Sequence, residues 1–567
     1  MKRLVCFAIV IGMSALATNA SADDRLIDAV RQQDRAAVQA LIKRGGDLNF
    51  ARPDGATAMH WAAYSDDLQI AQALITAGAK ADVLNQLGIS PLHLACENGS
   101  PQMVALLLKA GASPNKAPEG RETPLMTAAR AGNPEVMKLL LAKGGSANAT
   151  ESSAGQTALM WAASEAHPEV VRLLLASGAN ASARTKVVAR GMFPRGANPA
   201  APNASQTGSS GAAPAKAAPA GAPAPLPVAI TAIASLGASG NGWTPLLFAS
   251  RAGDIESARL ILKAGANVNE LGADNVSPLL LSLQRGFPKV AEFLLENGAD
   301  PNSNKIGYTA LHWAVGTWES ELTVRAITTE REGDWYAIAG LKEGKLDVVK
   351  ALLAHGADPN ARIDVTPQRA GGTKNPGVPE LVGATPLILA AMAGDVPVMK
   401  ALVAAGADPK LRTWTEGTIL MAAGGFGHVQ GEDFVRDADA KAAAEYALEL
   451  GSPIDDIDTT SNTALHYATY LRHDATAKLL IDRRASLSAK NNFGETPLWT
   501  AELVIQFMAG GTWQAIPSST GELLRKAGAV DVKPDYERTR PAEWPSNWRP
   551  KNEEAGAPAA QRAESPK

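Results

Sequence analysis

Thr123-Pro124-Leu125-Met126-Thr127-Ala128-Ala129, followed by Val136-Met137-Lys138-Leu139-Leu140-Leu141 and closed by Gly144, is the stretch that decides the fold of this 567-residue chain. Its opening threonine reads as a helix N-cap, whose side-chain oxygen takes an orphan backbone N–H. Proline follows in the first helical position, where its missing N–H is no loss. Two alanines then leave little side-chain bulk, so a second helix can approach closely. That second helix carries apolar residues at helical spacing and ends on a glycine able to adopt the left-handed conformation that stops it.

The stretch recurs. Thr57, Ser90 and Thr123 open units 33 residues apart, and Gly78, Gly111 and Gly144 close them at the same interval. Further openings stand at Thr157, Thr244, Ser277, Thr309, Thr385, Thr418, Thr463 and Thr496, and a degenerate first copy from Arg25 to Asn49 brings the total to about twelve. Three residues after four of the caps come His60, His93, His312 and His466. A side chain there can reach back to the cap, as the glutamate of a capping box does. Two short helices cannot bury their apolar faces alone, so stability must come from stacking on the next unit.

Ser90 to Asn115 nearly spells out Thr-Pro-Leu-His-x-Ala-Ala followed by Leu-Leu-x-x-Gly-Ala-x-x-Asn. By these residues the chain resembles the ankyrin repeat family. The resemblance implies an all-α solenoid of about twelve helix-turn-helix units with short hairpin loops, binding partners through its concave side. Two units depart from the pattern. Arg484 stands where the helix-stopping glycine belongs, which predicts an irregular helix end, and the Thr418 unit reads Ile419-Leu420-Met421 in place of Pro-Leu-His, which predicts a weak first turn.

Residues 1–22 combine Lys2 and Arg3, an apolar run from Leu4 to about Ala17, and Ala20-Ser21-Ala22 before Asp23-Asp24, the three-part pattern of a secretory signal peptide cleaved after Ala22. The expected location is therefore periplasmic or secreted, with no membrane span after cleavage. The formal net charge of −3 becomes about −5 once Lys2 and Arg3 leave, and no clustered basic face marks a nucleic-acid binder. Cys96 is then the only thiol, so no intramolecular disulfide can form; it takes the place of a repeat alanine and reads as a buried small residue. A monomer is expected.

The mature chain divides into a first repeat block at 23–184, an Ala/Pro/Gly-rich linker at 185–240, a second block at 241–530 and a polar Pro-rich tail at 531–567 that carries Trp544 and Trp548. The linker composition cannot bury enough apolar surface to offset the entropy of ordering and is expected to be disordered. Insertions break the second block. Opening residue and closing glycine lie 21 residues apart in most units, but 47 apart from Thr309 to Gly356, 33 from Thr418 to Gly451 and 32 from Thr496 to Gly528. All three insertions fall between the first and second helix, on one edge of the stack. A further Gly- and Pro-rich finger, Ile363 to Val382, extends the opposite edge.

The candidate partner-binding residues follow from this layout. Trp318, Trp335, Tyr336, Phe426, His428 and Trp513 concentrate aromatic rings in the inserts, with acids such as Glu432 and Asp433 beside them. Trp243 and Tyr308 precede their opening threonines, a place the family leaves exposed on the concave side, and Arg251 and Arg285 flank them. Trp61, Trp161 and Trp313 recur with the period and read as core. No phosphate loop, haem-attachment motif or nucleophile elbow is present. Neither a cofactor nor a metal is expected, and the chain reads as a non-catalytic scaffold for a partner protein. The competing reading is a small-molecule or glycan cleft walled by the insert aromatics and acids.

Overall fold

The computed structural model describes residues 22–118, 120–187, 242–316, 341, 343–364, 381–428, 435–504, 514–515 and 517–532. Residues 1–21, most of the linker, nearly all of the tail, most of the finger and the bulk of each insert lie outside these residues. The described chain is all-helical apart from one two-residue antiparallel pair, Leu503–Val504 with Gln514–Ala515, at the base of the third insert.

Contacts divide the chain into two units. The first comprises Met1–Phe248 with Arg259–Gly265, and the second Ala249–Ala258 with Ala266–Lys567. In the first, helix pairs run Ala22–Arg31 and Arg35–Arg44, Ala58–Tyr64 and Leu68–Thr76, Pro91–Glu97 and Pro101–Lys109, Pro124–Ala131 and Pro134–Ala142, and Ala158–Ser164 and Pro168–Ala176. The pair Pro245–Ala252 and Ile255–Lys263 is shared between the units. In the second, the pairs are Pro278–Gln284 and Pro288–Glu296, Ala310–Val315 and Lys345–Ala354, Pro386–Met392 and Val396–Ala404, Ile419–Gly424 and Asp437–Glu449, Ala464–Tyr470 and Asp474–Asp482, and Pro497–Glu502 and Ser519–Lys526. Each of the three inserts separates the two helices of its pair, as the spacing requires.

The first helix of each pair is short because both of its ends are fixed. Ser90 Oγ accepts from the backbone of His93 while the His93 ring accepts from the backbone N–H of Ser90 at 3.1 Å, closing the capping box. Nearly every residue of that helix, from Pro91 to Cys96, is buried. The second helix buries only one stripe, such as Met103, Val104, Leu107 and Leu108. First helices pack on first helices of neighbouring repeats and second helices on second helices, so each unit's core is one continuous layer. Cys96 lies fully inside it, where burial pushes its thiol pKa up. Trp61, Trp161 and Trp313 are buried as expected.

Two polar ladders tie repeat to repeat. In the first, His60, His93, His312 and His466 use Nδ1 to accept the cap N–H, which leaves the ring hydrogen on Nε2. That nitrogen donates to a carbonyl of the following hairpin: Ile89 at 3.0 Å, Glu122 at 3.0 Å, Ala361 at 3.0 Å and Glu495 at 3.1 Å. In the second ladder, Asn115 donates to Gly144 O at 2.9 Å and accepts from Ser146 N at 2.8 Å, and Asn148, Asn269, Asn302 and Asn360 repeat the same pair of bonds one unit on. The histidine ladder satisfies backbone groups that would otherwise be buried unpaired, and the asparagine ladder links exposed backbone of adjacent hairpins.

The structure corrects three local expectations. The helix ending at Asp482 is regular: Arg484 itself takes the left-handed conformation at φ 68°, and Ala485 N bonds Leu480 O at 2.9 Å as Gly145 N bonds Leu140 O. The Thr418 cap holds as well, its hydroxyl accepting from Met421 N at 3.2 Å. Residues 185–187, assigned to the linker by composition, continue the fold. Thr185 is buried, its N–H reaches Trp243 O at 2.9 Å, and its hydroxyl accepts from Trp243 N at 2.9 Å. The two sides of the linker are thereby joined within the first unit.

Burial lowers the pKa of all four ladder histidines to about 4, because the desolvated imidazolium is disfavoured and the cap N–H requires a neutral acceptor. Unfolded, the same rings titrate near 6.5. The unfolded chain therefore binds protons first, and stability that is complete above about pH 6.5 falls progressively toward pH 4. Thermal melts between pH 7.5 and pH 5, above the main carboxylate range, should show this decline, and His93→Gln should reduce its slope; a pH-independent melting temperature over that window would contradict the ladder. Arg484→Gly, which removes left-handed strain at the cost of unfolded-state entropy, should raise stability by up to about 1 kcal/mol in urea titrations.

Candidate functional site

A repeat leaves three of its first-helix positions on the face shared with the hairpins: the residue before the cap, the fourth after it and the seventh after it. Measured rings show how closely these registers meet. Trp243 and Phe248, one before and four after Thr244, lie edge to face with centroids 5.5 Å apart. Tyr308 and Trp313 occupy the same registers around Thr309 and stack at 5.7 Å. Trp61 and Tyr64, four and seven after Thr57, meet edge to face at 5.8 Å, and the Arg31 guanidinium of the preceding repeat lies 4.7 Å above the Trp61 ring.

This geometry corrects four of the proposed contact residues. Trp243 and Tyr308 are not exposed platforms; they retain 8% and 9% of their accessible surface because each folds onto the aromatic residue of its own first helix. The Tyr308 hydroxyl accepts from Gln284 Nε2 at 3.3 Å, and burial pushes its pKa up to about 12. Phe426 is fully buried, edge to face with Tyr467 at 5.5 Å. It fits only because Gly417 has no Cβ, whose position would fall 2.7 Å from the ring. His428 is 5% exposed and its Nε2 engages Met392 O at 3.0 Å, so it closes the neighbouring repeat instead of facing a ligand. Arg251 and Arg285 are half-buried at the ends of their helices. Trp318, Trp335, Tyr336 and Trp513 lie outside the described residues, as do Glu432 and Asp433.

The aspartates after Pro453 are engaged in structure. Asp455 accepts from Ser486 N at 2.8 Å, Asp456 pairs with Arg412, and Asp458, 4% exposed, accepts from Thr460 N at 2.8 Å, Asn462 N at 3.0 Å and the Tyr467 hydroxyl. Two concavities among the described residues bear on a ligand reading. One of about 60 Å³ lies among Arg25, Leu41, Arg44 and Leu48, and a shallow one of about 290 Å³ lies among Lys350, Leu353 and Ala401. Neither is walled by aromatic residues.

Sequence reading overlooked the first unit as a binding surface. At the seventh position its repeats carry Arg31, Tyr64, Glu97 and Arg130, each 33 residues after the last. Tyr64 is 40% exposed. Arg130 makes a two-pronged bond to Glu97 across the repeat boundary, at 3.3 and 2.8 Å, while its carbonyl takes His167 Nε2 at 3.1 Å. The signal was available, because Arg251 occupies the same register after Thr244. What was missing was the knowledge that the residue before the cap turns inward when it is a large ring, leaving the seventh position as the outward one.

Because Trp243 and Phe426 are packing residues, Trp243→Ala and Phe426→Ala should each cost about 3–5 kcal/mol in urea unfolding. Melting temperatures unchanged by either substitution would return those rings to the surface.

Models of one family match the chain. One, described as ankyrin repeats in three copies, matches residues 26–118, 115–185, 228–305 and 246–334, and a single ankyrin repeat model matches 334–364, 382–414 and 460–492. Together they run over more than half of the chain; the helix pairs after Thr418 and Thr496 fall outside these matches yet form. A putative ankyrin repeat protein, FPV031, of Fowlpox virus (strain NVSL) is 31% identical over 130 residues, covering 21% of this chain and 38% of that protein. A putative ankyrin repeat protein of Rickettsia felis is 32% identical over 122 residues, covering 21% of this chain and 46% of that one. The chain thus spans less than half the length of these curated relatives. The crystal structure of the human ASB11 ankyrin repeat domain aligns at 23% identity over 49% of this chain and 98% of that domain, with a TM-score of 0.36. With the repeat period, the capping boxes and the family models in agreement, the chain belongs to the ankyrin repeat family.

Proposed function

We propose that this chain is an exported, non-catalytic scaffold that grips a partner protein with the first-helix face of its repeats. The observation that carries this reading is the row Arg31, Tyr64, Glu97 and Arg130, a series of large side chains at the one register that the buried layer does not absorb. Arg31 and Tyr64 both lean on Trp61, and arginine, tyrosine and tryptophan are the side chains that dominate binding energy at protein interfaces. Arg251, in the second unit, holds the corresponding register after Thr244 and is half-buried. Export rests on the charged, apolar and small-residue order of residues 1–22. Among the described residues no helix is long and apolar enough to cross a membrane. The glycan reading rests on Trp318, Trp335 and Trp513, which lie outside the described residues.

A photo-crosslinking residue at position 64, compared with one at Gln72 on the exposed side of the second helix, tests the proposal in cells. The expected result is a discrete protein adduct in the periplasmic fraction from position 64 and none from position 72. Equal labelling at both sites, or adducts confined to the cytoplasm, would overturn the docking face and the export reading respectively.

A further inference from the structure

Arg31 breaks the bonding pattern of its own register. Arg130, at that register further along the first unit, sends a two-pronged bond to Glu97 of the preceding repeat, at 3.3 and 2.8 Å. Arg31 ends the first helix among the described residues, so those residues hold no earlier helix pair to supply an acid. Its guanidinium instead lies 4.7 Å over the Trp61 ring of the following repeat. Arg130 stands in the same register relation to Trp161, yet it bonds Glu97. A carboxylate is what a guanidinium at this register takes when one is within reach.

Among the described residues the Arg31 guanidinium makes no hydrogen bond, and its side chain keeps 26% of its accessible surface. Its ion pair is with Asp28, whose Oδ1 lies 3.8 Å away, beyond hydrogen-bond reach. That same oxygen already accepts from Arg52 Nη2 at 2.6 Å, and Arg52 also holds the Asp24 carboxylate at 3.1 Å. Contact with the indole face holds Arg31 in place without using its N–H groups. Tyr64 packs edge to face on the same indole, centroids 5.8 Å apart, and is 40% exposed. Its mount is firm: Asn98 Nδ2 donates to the carbonyls of Ala63 and Tyr64, each at 3.0 Å, and Ser65 Oγ donates to Trp61 O at 2.9 Å. Solvent therefore meets a held guanidinium with unanswered N–H groups and an exposed phenol ring, both resting on Trp61.

The chemistry of that pair selects its occupant. A guanidinium offers a planar fork of donors that matches the two oxygens of a carboxylate. A neutral amide brings one acceptor oxygen in place of two, a basic group is repelled, and a metal ion finds no lone pair. A phosphate dianion asks for more positive charge than Arg31 supplies, because Arg35 and Arg52 are spent on Asp67, Asp24 and Asp28. We propose that Arg31, held on Trp61, binds the carboxylate of an aspartate or glutamate on the partner protein, with Tyr64 as the flanking contact. The partner's acid takes the part for Arg31 that Glu97 takes for Arg130. This rests on the scaffold reading above and adds the chemistry of what docks on the first two repeats.

The full mature chain should be titrated at low salt, by fluorescence anisotropy, with labelled Ala/Ser/Leu peptides blocked at both ends and carrying a central Glu-Leu-Glu, Gln-Leu-Gln or Lys-Leu-Lys. The Glu peptide should bind about tenfold more tightly than the Gln peptide, as one charge-assisted pair implies, and should lose that margin at high salt. Arg31→Gln should erase the margin, and Arg31→Glu should pass it to the Lys peptide, a reversal that lost stability cannot produce. Arg172→Gln, which removes an equal charge from an exposed second helix, should leave the margin in place. Three peptides of equal affinity, no binding by any of them, or a margin that Arg172→Gln abolishes as fully as Arg31→Gln would overturn the proposal. A position-64 adduct that persists unchanged in Arg31→Glu would remove the acid reading and leave the scaffold standing. A margin that depends on Arg31, with no position-64 adduct in cells, would keep the carboxylate site and remove the scaffold reading.

Discussion

A pair of helices of seven and nine residues cannot cover its own apolar surface, and everything else in this protein follows from that constraint. Pro91–Glu97 buries almost its whole circumference, which is possible only with a neighbouring first helix on either side and its own second helix behind. Isolated helices of this length are marginal in water. The fold is therefore a chain of mutual dependencies, and its weakest points lie where polar backbone at a repeat boundary must be satisfied. The histidine ladder answers that need within the buried layer and the asparagine ladder ties exposed hairpins beside it, with the same bonds in repeat after repeat, which is why the period tolerates large changes elsewhere.

Those changes fall where the constraint is absent. The three inserts separate the helices of a pair while both helices still form and pack in register. At the linker the chain returns so that Thr185 and Trp243 bond in both directions, and one repeat boundary is thereby closed across 57 intervening residues. Loop-closure entropy grows only slowly with length, so an excursion of this size costs little more than a shorter one. Arg484 shows the same economy on a smaller scale: the helix must stop, and the residue present adopts the stopping conformation despite its Cβ.

Function is expected where the repeated bonding pattern leaves something over. The row from Arg31 to Arg130 is one remainder, since the layer below is already filled by residues such as Leu92, Leu125 and Leu159. At the registers one before and four after the cap, large rings pack on each other, as Tyr308 does on Trp313, while another repeat places the small Ala56 there.

The amino-acid order by itself determined the repeat, its period and its helix ends, because caps, proline positions and stop glycines act over a few residues and need no tertiary contact to be read. It also located the inserts, since a fixed register makes any surplus visible. It could not decide which way a large side chain turns. Trp243, Tyr308 and Phe426 have the composition of contact residues, yet each found a ring or a missing Cβ beside it and went inward. Exposure of an aromatic residue is settled by the free energy of burying it against a particular neighbour, and that neighbour is supplied only when the helices have packed.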